Sequence, residues 1–346
     1  MPTGIVLGCQ GLGAAAVGAP GPPVCRIAKA RIERQLPRMS ATATEIPPAE
    51  VTASTVHDDG PEPSVHETVI EPRKGWIAVD WGEMARQREL LFFLIWRDIK
   101  VRYKQATLGV AWAVLQPLTQ VVIFSLIFGA GFNLASKLGE GANLPPYPVF
   151  VFAALLPWQV FSRAMTEGGL SLVNQQHLLT KIYFPRLFVP TASVGGAVFD
   201  LLISLPVFAA MLAFYRFVPP WTALLLPLLL IPTILLAAGT AYLLSALTVT
   251  YRDFRFIIQF MAQLWMWVSF VMIPVPDGML KSPKWHFLFY LNPMYGQVCA
   301  YRKVLLGLDR GWSPSQYACS VAVSVAVFFL GIFYFRRTER RFADIA

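Results

Sequence analysis

The sequence predicts an all-α polytopic membrane protein with six transmembrane helices. Hydrophobic residues make up 55% of the 346-residue chain, more than an ordinary soluble domain carries. Uncharged apolar runs, long enough to cross a hydrocarbon core of about 30 Å, recur through the second two thirds of the chain. The net charge of +9 is concentrated in segments that flank these runs, as a membrane orientation signal requires, so nucleic-acid binding is not expected.

The chain divides into four predicted regions. Residues 1–70 are rich in Ala, Gly, Pro, Thr and Glu without sustained periodicity, which predicts a disordered tail, and Met39 is a second candidate for the translation start. Residues 71–107 are predicted to form a cytoplasmic segment with an amphipathic helix. The six spans occupy 108–335, and 336–346 form a cytoplasmic C-terminal tail.

The segment before the first span predicts a helix that lies at the membrane surface. Placed on a helix, five residues form one apolar stripe: Phe92, Ile95, Trp96, Ile99 and Tyr103. Four cations collect to one side of this stripe: Arg86, Arg97, Lys100 and Lys104. Such a helix places aromatic rings at the acyl boundary and attracts anionic lipids. The alternative is a helix packed on a soluble core, which the uncharged run that follows argues against.

Six apolar runs follow this helix, at 108–132, 147–168, 191–215, 221–249, 256–273 and 316–335. Asp200 lies near the middle of the third run, where a carboxylate must face protein or a water-filled path. Both a role in the transport path and a helix–helix hydrogen bond remain open for it. Arg163 and Glu167, four residues apart at the end of the second run, form either a helix-end pair or part of the path.

Between the last two runs, residues 276–314 contain apolar pieces too short to cross a membrane, divided at Asn292-Pro293. Short apolar helices of this kind predict re-entrant or interfacial elements that protein must cover. Lys and Arg residues number sixteen on the flanks assigned to the inside and seven on those assigned to the outside. This asymmetry predicts six spans with both termini in the cytoplasm.

Several catalytic and ligand-binding motifs are missing from the sequence. No GxxxxGK[ST] phosphate-binding loop, GxSxG nucleophile motif or HExxH metal motif occurs, and the four cysteines include no CxxC pair. We therefore expect no cofactor, no metal and no catalytic residue in this chain.

Four motifs together resemble one known family. They are VIEPRKGWIAVDW, WRDIKVRYKQATLGVAWAVLQPL, YRDFR and LNP, within Val69–Arg341. This combination is similar to the membrane subunit of ABC exporters that move O-antigen, capsule or teichoic-acid glycans. The resemblance implies a homodimer in the bacterial inner membrane that encloses a path for a lipid-linked glycan. It also implies two copies of a separate cytosolic ATPase that binds ATP and Mg²⁺.

The resemblance assigns roles to particular residues. In the loop Gly169–Pro190, the residues expected to couple to the ATPase are Asn174, Leu178, Lys181, Phe184, Pro185 and Pro190. The interface helix contributes Trp96, Arg97, Asp98, Lys100, Arg102, Tyr103 and Lys104. Asn292, Pro293 and Tyr295 belong to the external gate helices. Apart from the resemblance, aromatic faces that can stack on sugar rings make Tyr147, Trp158, Phe161 and Tyr295 candidates for the translocation path. Arg163 and Asp200 are candidates because they are charged residues within apolar runs.

Two other functions remain alternatives. One is a membrane-embedded glycosyl or acyl transferase, for which a single mid-membrane carboxylate supplies too few catalytic groups. The other is an exporter of a different hydrophobic cargo, whose relatives generally lack the long motif before the first span.

Overall fold

In the computed structural model, the described residues are 81–104, 109, 111–132, 145–176, 185–280 and 283–339. Predictions that concern the N-terminal tail and residues 340–346 lie outside them. The elements of the described part are helices. They are α1 (Trp81–Arg86), α2 (Arg88–Lys104), α3 (Ala111–Phe124), α4 (Tyr147–Arg163), α5 (Gly169–Asn174), α6 (Phe188–Phe214), α7 (Leu226–Thr250), α8 (Phe254–Val268), α9 (Asp277–Leu280), α10 (Pro283–Leu291), α11 (Pro293–Leu306) and α12 (Pro314–Glu339). Two π-helical segments, Ser125–Gly131 and Ala164–Gly168, continue α3 and α4, and the 3₁₀ helix Trp221–Leu225 precedes α7.

Five helical stretches are long and apolar enough to cross a membrane. They are Ala111–Gly131, Tyr147–Asn174, Phe188–Phe214, Trp221–Thr250 and Pro314–Glu339, and they match the first, second, third, fourth and sixth predicted runs. The fifth run forms α8, a helix of 15 residues, which is shorter than the roughly 20 residues of a typical span. A polytopic helical membrane protein is thus confirmed, and the count of six stays a prediction.

The second span extends further than the sequence predicted. Its helix continues through α5 to Asn174, so the loop boundary placed at Gly169 was wrong. The two glycines at the boundary serve close packing instead: a Cβ on Gly168 would lie 2.7 Å from the Ala241 Cβ, and one on Gly169 would lie 3.1 Å from the Leu244 Cβ. Small residues let helix backbones approach closely in membranes.

The helix α4 forms the centre of the described bundle. Its side chains from Val149 to Trp158 are buried, and it packs against α6, α7 and α11. A second close crossing joins α7 and α12, where a Cβ on Gly331 would overlap the Gly239 carbonyl oxygen. Tight backbone contacts therefore hold the long helices together.

The surface helix α2 packs along α6. Gly195 on α6 admits Ile95, because a Cβ there would lie 2.7 Å from the Ile95 Cδ1. Ile99 is also buried, whereas Phe92 and Trp96 are 69% and 45% exposed. On α2 the predicted stripe has Ile95 and Ile99 against protein and the aromatic rings of Phe92 and Trp96 exposed. That this stripe lies at the membrane surface stays a prediction.

Candidate functional site

A charge cluster joins α2 to the second and third candidate spans. Its members are Arg102 and Tyr103 on α2, Arg163 at the end of α4, Glu167 in the π-helical segment and Asp200 on α6. Arg102 forms an ion pair with Glu167, and its Nη1 lies 3.6 Å from the Asp200 Oδ2. Arg163 donates from Nε to the Glu167 Oε1 at 3.1 Å and forms an ion pair with Asp200.

The charge cluster is electrically balanced, with two guanidinium groups and two carboxylates. The Asp200 and Arg163 side chains are only 15% and 18% exposed, and a charge in such surroundings is costly unless it is paired. The Tyr103 hydroxyl donates to the Asp200 Oδ1. Burial raises the pKa of Tyr103 above its ordinary value, so the hydroxyl keeps its proton and remains a donor.

These contacts bear on two features for which the sequence left alternatives open, Asp200 and the Arg163–Glu167 pair. Asp200 makes the predicted contact between helices, and Arg163 and Glu167 form the predicted pair four residues apart. The structure adds Arg102, 65 residues before Glu167 in sequence, which no local pattern could reveal. Whether Arg163 or Asp200 also contacts cargo stays a prediction.

A second contact ties α2 to the end of the second candidate span. The Arg97 Nη2 lies 2.8 Å from both the Asp98 Oδ1 and the Gln175 Oε1. Gln175 directly follows α5, and it is a contact residue that the sequence analysis missed. Lys100 and Lys104 are exposed, and the Lys100 Nζ lies 5.4 Å from the centroid of the Trp96 ring.

The predicted coupling segment begins and ends beside these contacts. Asn174 is exposed at the end of α5, and Pro185 lies just before α6. Pro190 is buried in the first turn of α6, a position that tolerates proline because few hydrogen bonds are lost there. Leu178, Lys181 and Phe184, the other predicted coupling residues, lie outside the described residues.

The aromatic candidates for the translocation path are buried within the chain. Tyr147, Trp158 and Phe161 are at most 4% exposed. The Phe161 ring packs edge-on against Trp265, with 5.4 Å between centroids, and the Tyr147 hydroxyl donates to the Met272 carbonyl oxygen at 2.8 Å. In this structure they pack within the protein core, and their role in a path stays a prediction.

The predicted gate region consists of the short helices α10 and α11. Asn292 caps α11 by accepting from the Met294 N–H at 3.1 Å, and Pro293 occupies the first helical position, which suits proline. The Asn292 Oδ1 also accepts from the Trp265 Nε1 at 3.0 Å, and its Nδ2 donates to the Ser269 Oγ at 3.1 Å. Asn292 therefore connects both short helices to the end of α8.

Tyr295 belongs to the same region and is buried at 1% exposure. Its ring stacks on Phe289 of α10, with 4.6 Å between centroids. The two short helices are thus packed together by aromatic rings, and their action as a gate stays a prediction.

Exposed glutamines on two apolar helices were missed by the sequence analysis. Gln259 and Gln263 lie four residues apart on the exposed side of α8, and Gln116 is exposed on α3. Gln120, four residues further along α3, has a buried Oε1 without a hydrogen-bond partner. Lipid tails offer no partner for an amide. A search for amides four residues apart in uncharged runs would have found both pairs.

The fold and these contacts define a polytopic helical membrane protein with a surface helix bonded to its spans. The model of the ABC-2 type transporter family matches residues 89–306, which is more than half of the chain. The chain therefore belongs to the ABC-2 type transporter family, and the family resemblance predicted from the four motifs is confirmed at this level.

Curated relatives match over most of their own length. The chain is 27% identical over 262 residues to the O-antigen export system permease protein RfbA of Myxococcus xanthus, covering 76% of this chain and 97% of the relative. It is 26% identical to RfbA of Klebsiella pneumoniae, covering 74% and 95%. It is 22% identical to the polysialic acid transport protein KpsM of Escherichia coli, covering 71% and 92%.

Proposed function

We propose that this chain is the transmembrane permease of an ATP-driven exporter that moves a lipid-linked polysaccharide across the bacterial inner membrane. The observation that carries this proposal is the match to permeases named for O-antigen export along more than nine tenths of their length. Membership of the ABC-2 type transporter family and the long apolar helices support it.

The working unit in this proposal is a homodimer with two copies of a separate ATPase subunit. The sequence has no phosphate-binding loop, so ATP and Mg²⁺ bind to the partner. Six spans with both termini in the cytoplasm fit the positive-inside asymmetry of the flanks. In this arrangement the α2 end of the bundle faces the ATPase.

The charge cluster transmits movement of the ATPase to the spans. Arg102 and Tyr103 are bonded to Glu167 and Asp200, so a displacement of α2 must carry both spans along or break paired charges. Removing one partner of a buried ion pair costs several kcal/mol, about 3–5 when the pair is fully buried and less here, where the groups are partly exposed. The segment between Asn174 and Pro190 is the second point of contact with the ATPase.

The exposed glutamines of α3 and α8 form part of the wall of the glycan path. A sugar polymer presents many hydroxyl groups, and an amide both donates to and accepts from hydroxyls. Phe128, just after α3, contacts Trp267 of α8, with 5.9 Å between ring centroids, so the two helices are neighbours at that end. An amide can exchange a hydrogen bond to a glycan hydroxyl for one to water at little net cost in free energy. A long glycan can therefore keep moving along such a wall.

The deciding experiment is reconstitution of this chain with the ATPase encoded beside its gene. A stable complex should hydrolyse ATP and export glycan, and Lys181→Ala and Phe184→Ala should uncouple hydrolysis from export. Lys137→Ala, at a lysine that the charge asymmetry assigns to the outside, is the matched control and should behave as the wild type. The proposal is overturned if no such ATPase binds, if the chain alone turns over a lipid-linked sugar, or if only a small hydrophobic compound is exported.

A further inference from the structure

The segment that follows α8 is buried but not helical. The helix α8 ends at Val268, and residues 269–275, the post-α8 segment, are irregular. Ser269, Val271 and Met272 are at most 1% exposed. Irregular backbone in the apolar part of a membrane protein is tolerated only where the protein itself bonds the polar groups.

Side chains from distant helices bond the carbonyl oxygens of the post-α8 segment. The Arg302 Nη2 on α11 donates to the Val271 carbonyl oxygen at 2.6 Å. The Tyr147 hydroxyl on α4 donates to the Met272 carbonyl oxygen at 2.8 Å. These donors tie the segment to two helices. Two longer bonds, both of 3.3 Å, run from the Asn292 Nδ2 to the Val268 carbonyl oxygen and from the Arg310 Nε to the Val275 carbonyl oxygen.

Two features of the post-α8 segment are unfavourable. Phe270 has a φ of 51°, in the left-handed region that bulky side chains rarely adopt. Such a conformation persists only where surrounding contacts hold it. Among the residues that the structure describes, no acceptor is bonded to the Met272 N–H, and a buried N–H without a partner is also costly. The side-chain bonds to the carbonyl oxygens offset these costs.

A second conformation of the same residues avoids both costs. If α8 continued as a helix through Ile273, Phe270 would adopt the ordinary right-handed conformation. The Met272 N–H would then donate to the Val268 carbonyl oxygen, four residues earlier, as in any α-helix. The continued helix therefore replaces strain and an unbonded N–H with regular backbone bonds.

The length of the continued helix fits a membrane span. Helices usually end at or before the residue that precedes a proline, so Pro274 limits the helix to residues 254–273. This is about 20 residues, the length of a typical span, whereas α8 has 15. The carbonyl groups of Val271 and Met272 would lie in the last turn, where water can bond them in place of the two side chains.

We propose that residues 269–273 switch between the irregular form in this structure and a helical continuation of α8. Arg302 and Tyr147 stabilise the irregular form. The left-handed Phe270 and the unbonded Met272 N–H raise its free energy and bring the two forms close together. In the helical form the fifth apolar run becomes a complete span.

The switch reaches the short helices through the Phe270 ring. This ring packs against Phe289 of α10 and Tyr295 of α11, with 5.8 Å and 6.0 Å between centroids. A change of backbone at Phe270 withdraws the ring from both neighbours, so α10 and α11 must repack. That this movement serves export rests on the proposed function, whereas the switch itself does not.

The test is NMR spectroscopy of the purified chain in micelles, with ¹³C at the valine carbonyl groups and ¹⁵N at the methionine amides. The dipeptide Val-Met occurs once in the sequence, at Val271-Met272, so the double label isolates this one peptide group. The carbonyl shift distinguishes helix from irregular backbone, and exchange of the Met272 amide proton with water reports whether it is bonded. The wild type should show mainly the irregular form.

Two variants that both remove the Phe270 ring differ in backbone preference. Phe270→Gly accepts the left-handed conformation and disfavours helix, whereas Phe270→Ala does the reverse. The ratio of helical to irregular form should be about tenfold or more higher in Phe270→Ala than in Phe270→Gly. If Phe270→Ala does not fold, Phe270→Leu, which also favours helix, takes its place.

A second pair of variants tests the side-chain bonds. Tyr147→Phe removes the donor to the Met272 carbonyl oxygen and should raise the ratio of helical to irregular form by about threefold or more. Tyr290→Phe is the matched control, because it removes a hydroxyl bonded to the Ser315 Oγ, outside the post-α8 segment. This control should leave the ratio unchanged.

The proposal is overturned if Phe270→Ala and Phe270→Gly give the same signal, if Tyr147→Phe has no more effect than Tyr290→Phe, or if the wild type is entirely helical. The measurement uses neither the ATPase nor export. Failure of the proposed function therefore leaves its outcome unaffected, and a chain that exports no glycan can still show the switch.

Discussion

Arg102 on the surface helix α2 forms an ion pair with Glu167 in the π-helical segment of the second candidate span. The pair links a helix outside the spans to one inside them, and Asp200 extends the link to a third helix. Three elements distant in sequence thus share one balanced set of charges. This arrangement gives movement of α2 a direct mechanical connection to two spans.

Loss of one charge from this pair should damage both stability and coupling. We expect Arg102→Gln and Glu167→Gln each to lower the free energy of unfolding by about 1–2 kcal/mol, a value reduced for partial solvent exposure. The double variant should be more stable than the sum of the single changes predicts, because it leaves fewer charges unpaired. Thermal unfolding in micelles measures stability, and ATPase activity of the reconstituted complex measures coupling. If the losses in the free energy of unfolding of the two single variants add up to that of the double variant, the ion pair contributes nothing to stability.

Loss of the Tyr103 hydroxyl should lower stability and export less than loss of the Asp200 charge. Tyr103→Phe removes one hydrogen bond and should cost about 1 kcal/mol while export continues. Asp200→Asn leaves two arginines with one carboxylate and should cost more, with a clear loss of export. Export can be followed as glycan on the cell surface in a strain whose own gene is deleted. Equal effects of the two changes would contradict the importance of the charge balance.

At the crossing of α7 and α12, replacement of Gly331 by a residue with a Cβ atom should lower stability. Gly331→Ala places a Cβ against the Gly239 carbonyl oxygen, and we expect a loss of about 1–3 kcal/mol in stability. Gly278→Ala is a matched control, since no atom lies within 4 Å of a Cβ there. Yield of folded protein and the unfolding midpoint in micelles measure the effect. Equal midpoints for the two variants would disprove the close crossing.

Asn292 should be important for the packing of the short helices. Asn292→Ala removes the cap of α11 and the acceptor for the Trp265 Nε1, and should cost about 2 kcal/mol or more. Asn292→Asp keeps the acceptor oxygen but places a buried carboxylate against the Val268 carbonyl oxygen, so it should cost at least as much. A change in the fluorescence of Trp265, measured in a variant that retains only this tryptophan, reports the lost hydrogen bond. Identical spectra for wild type and Asn292→Ala would argue against the contact.

Replacement of the exposed glutamines should impair export without loss of stability. Gln259→Leu with Gln263→Leu removes two amides from the exposed side of α8, and we expect export to fall several-fold while the unfolding midpoint stays the same or rises. Met261→Leu, an exposed change on the same helix, should have no effect. Undiminished export by the double leucine variant would exclude these amides from the path.

Several features of the site could be predicted from sequence because they are local. The i, i+4 spacing predicts the contact between Arg163 and Glu167, and the cost of an intramembrane carboxylate predicts that Asp200 faces protein or a water-filled path. The partner Arg102 could not be predicted, since it precedes Glu167 by 65 residues and the whole first candidate span lies between them. The polar segment from Gly169 onwards was predicted to be a loop, but the structure continues the helix to Asn174 and uses Gly168 and Gly169 for close packing against α7.

The sequence by itself determined the class of protein, the approximate position of the membrane-crossing helices and the family. These follow from the length and charge of apolar runs and from contiguous motifs. Only the tertiary structure decided which faces of the helices are buried: Tyr147, Trp158 and Phe161 lie in the core, while Gln259 and Gln263 are exposed. Hydropathy does not separate these cases, because lipid tails are as apolar as a protein core. The contacts that distinguish a buried face from a lipid or path face depend on how distant helices pack.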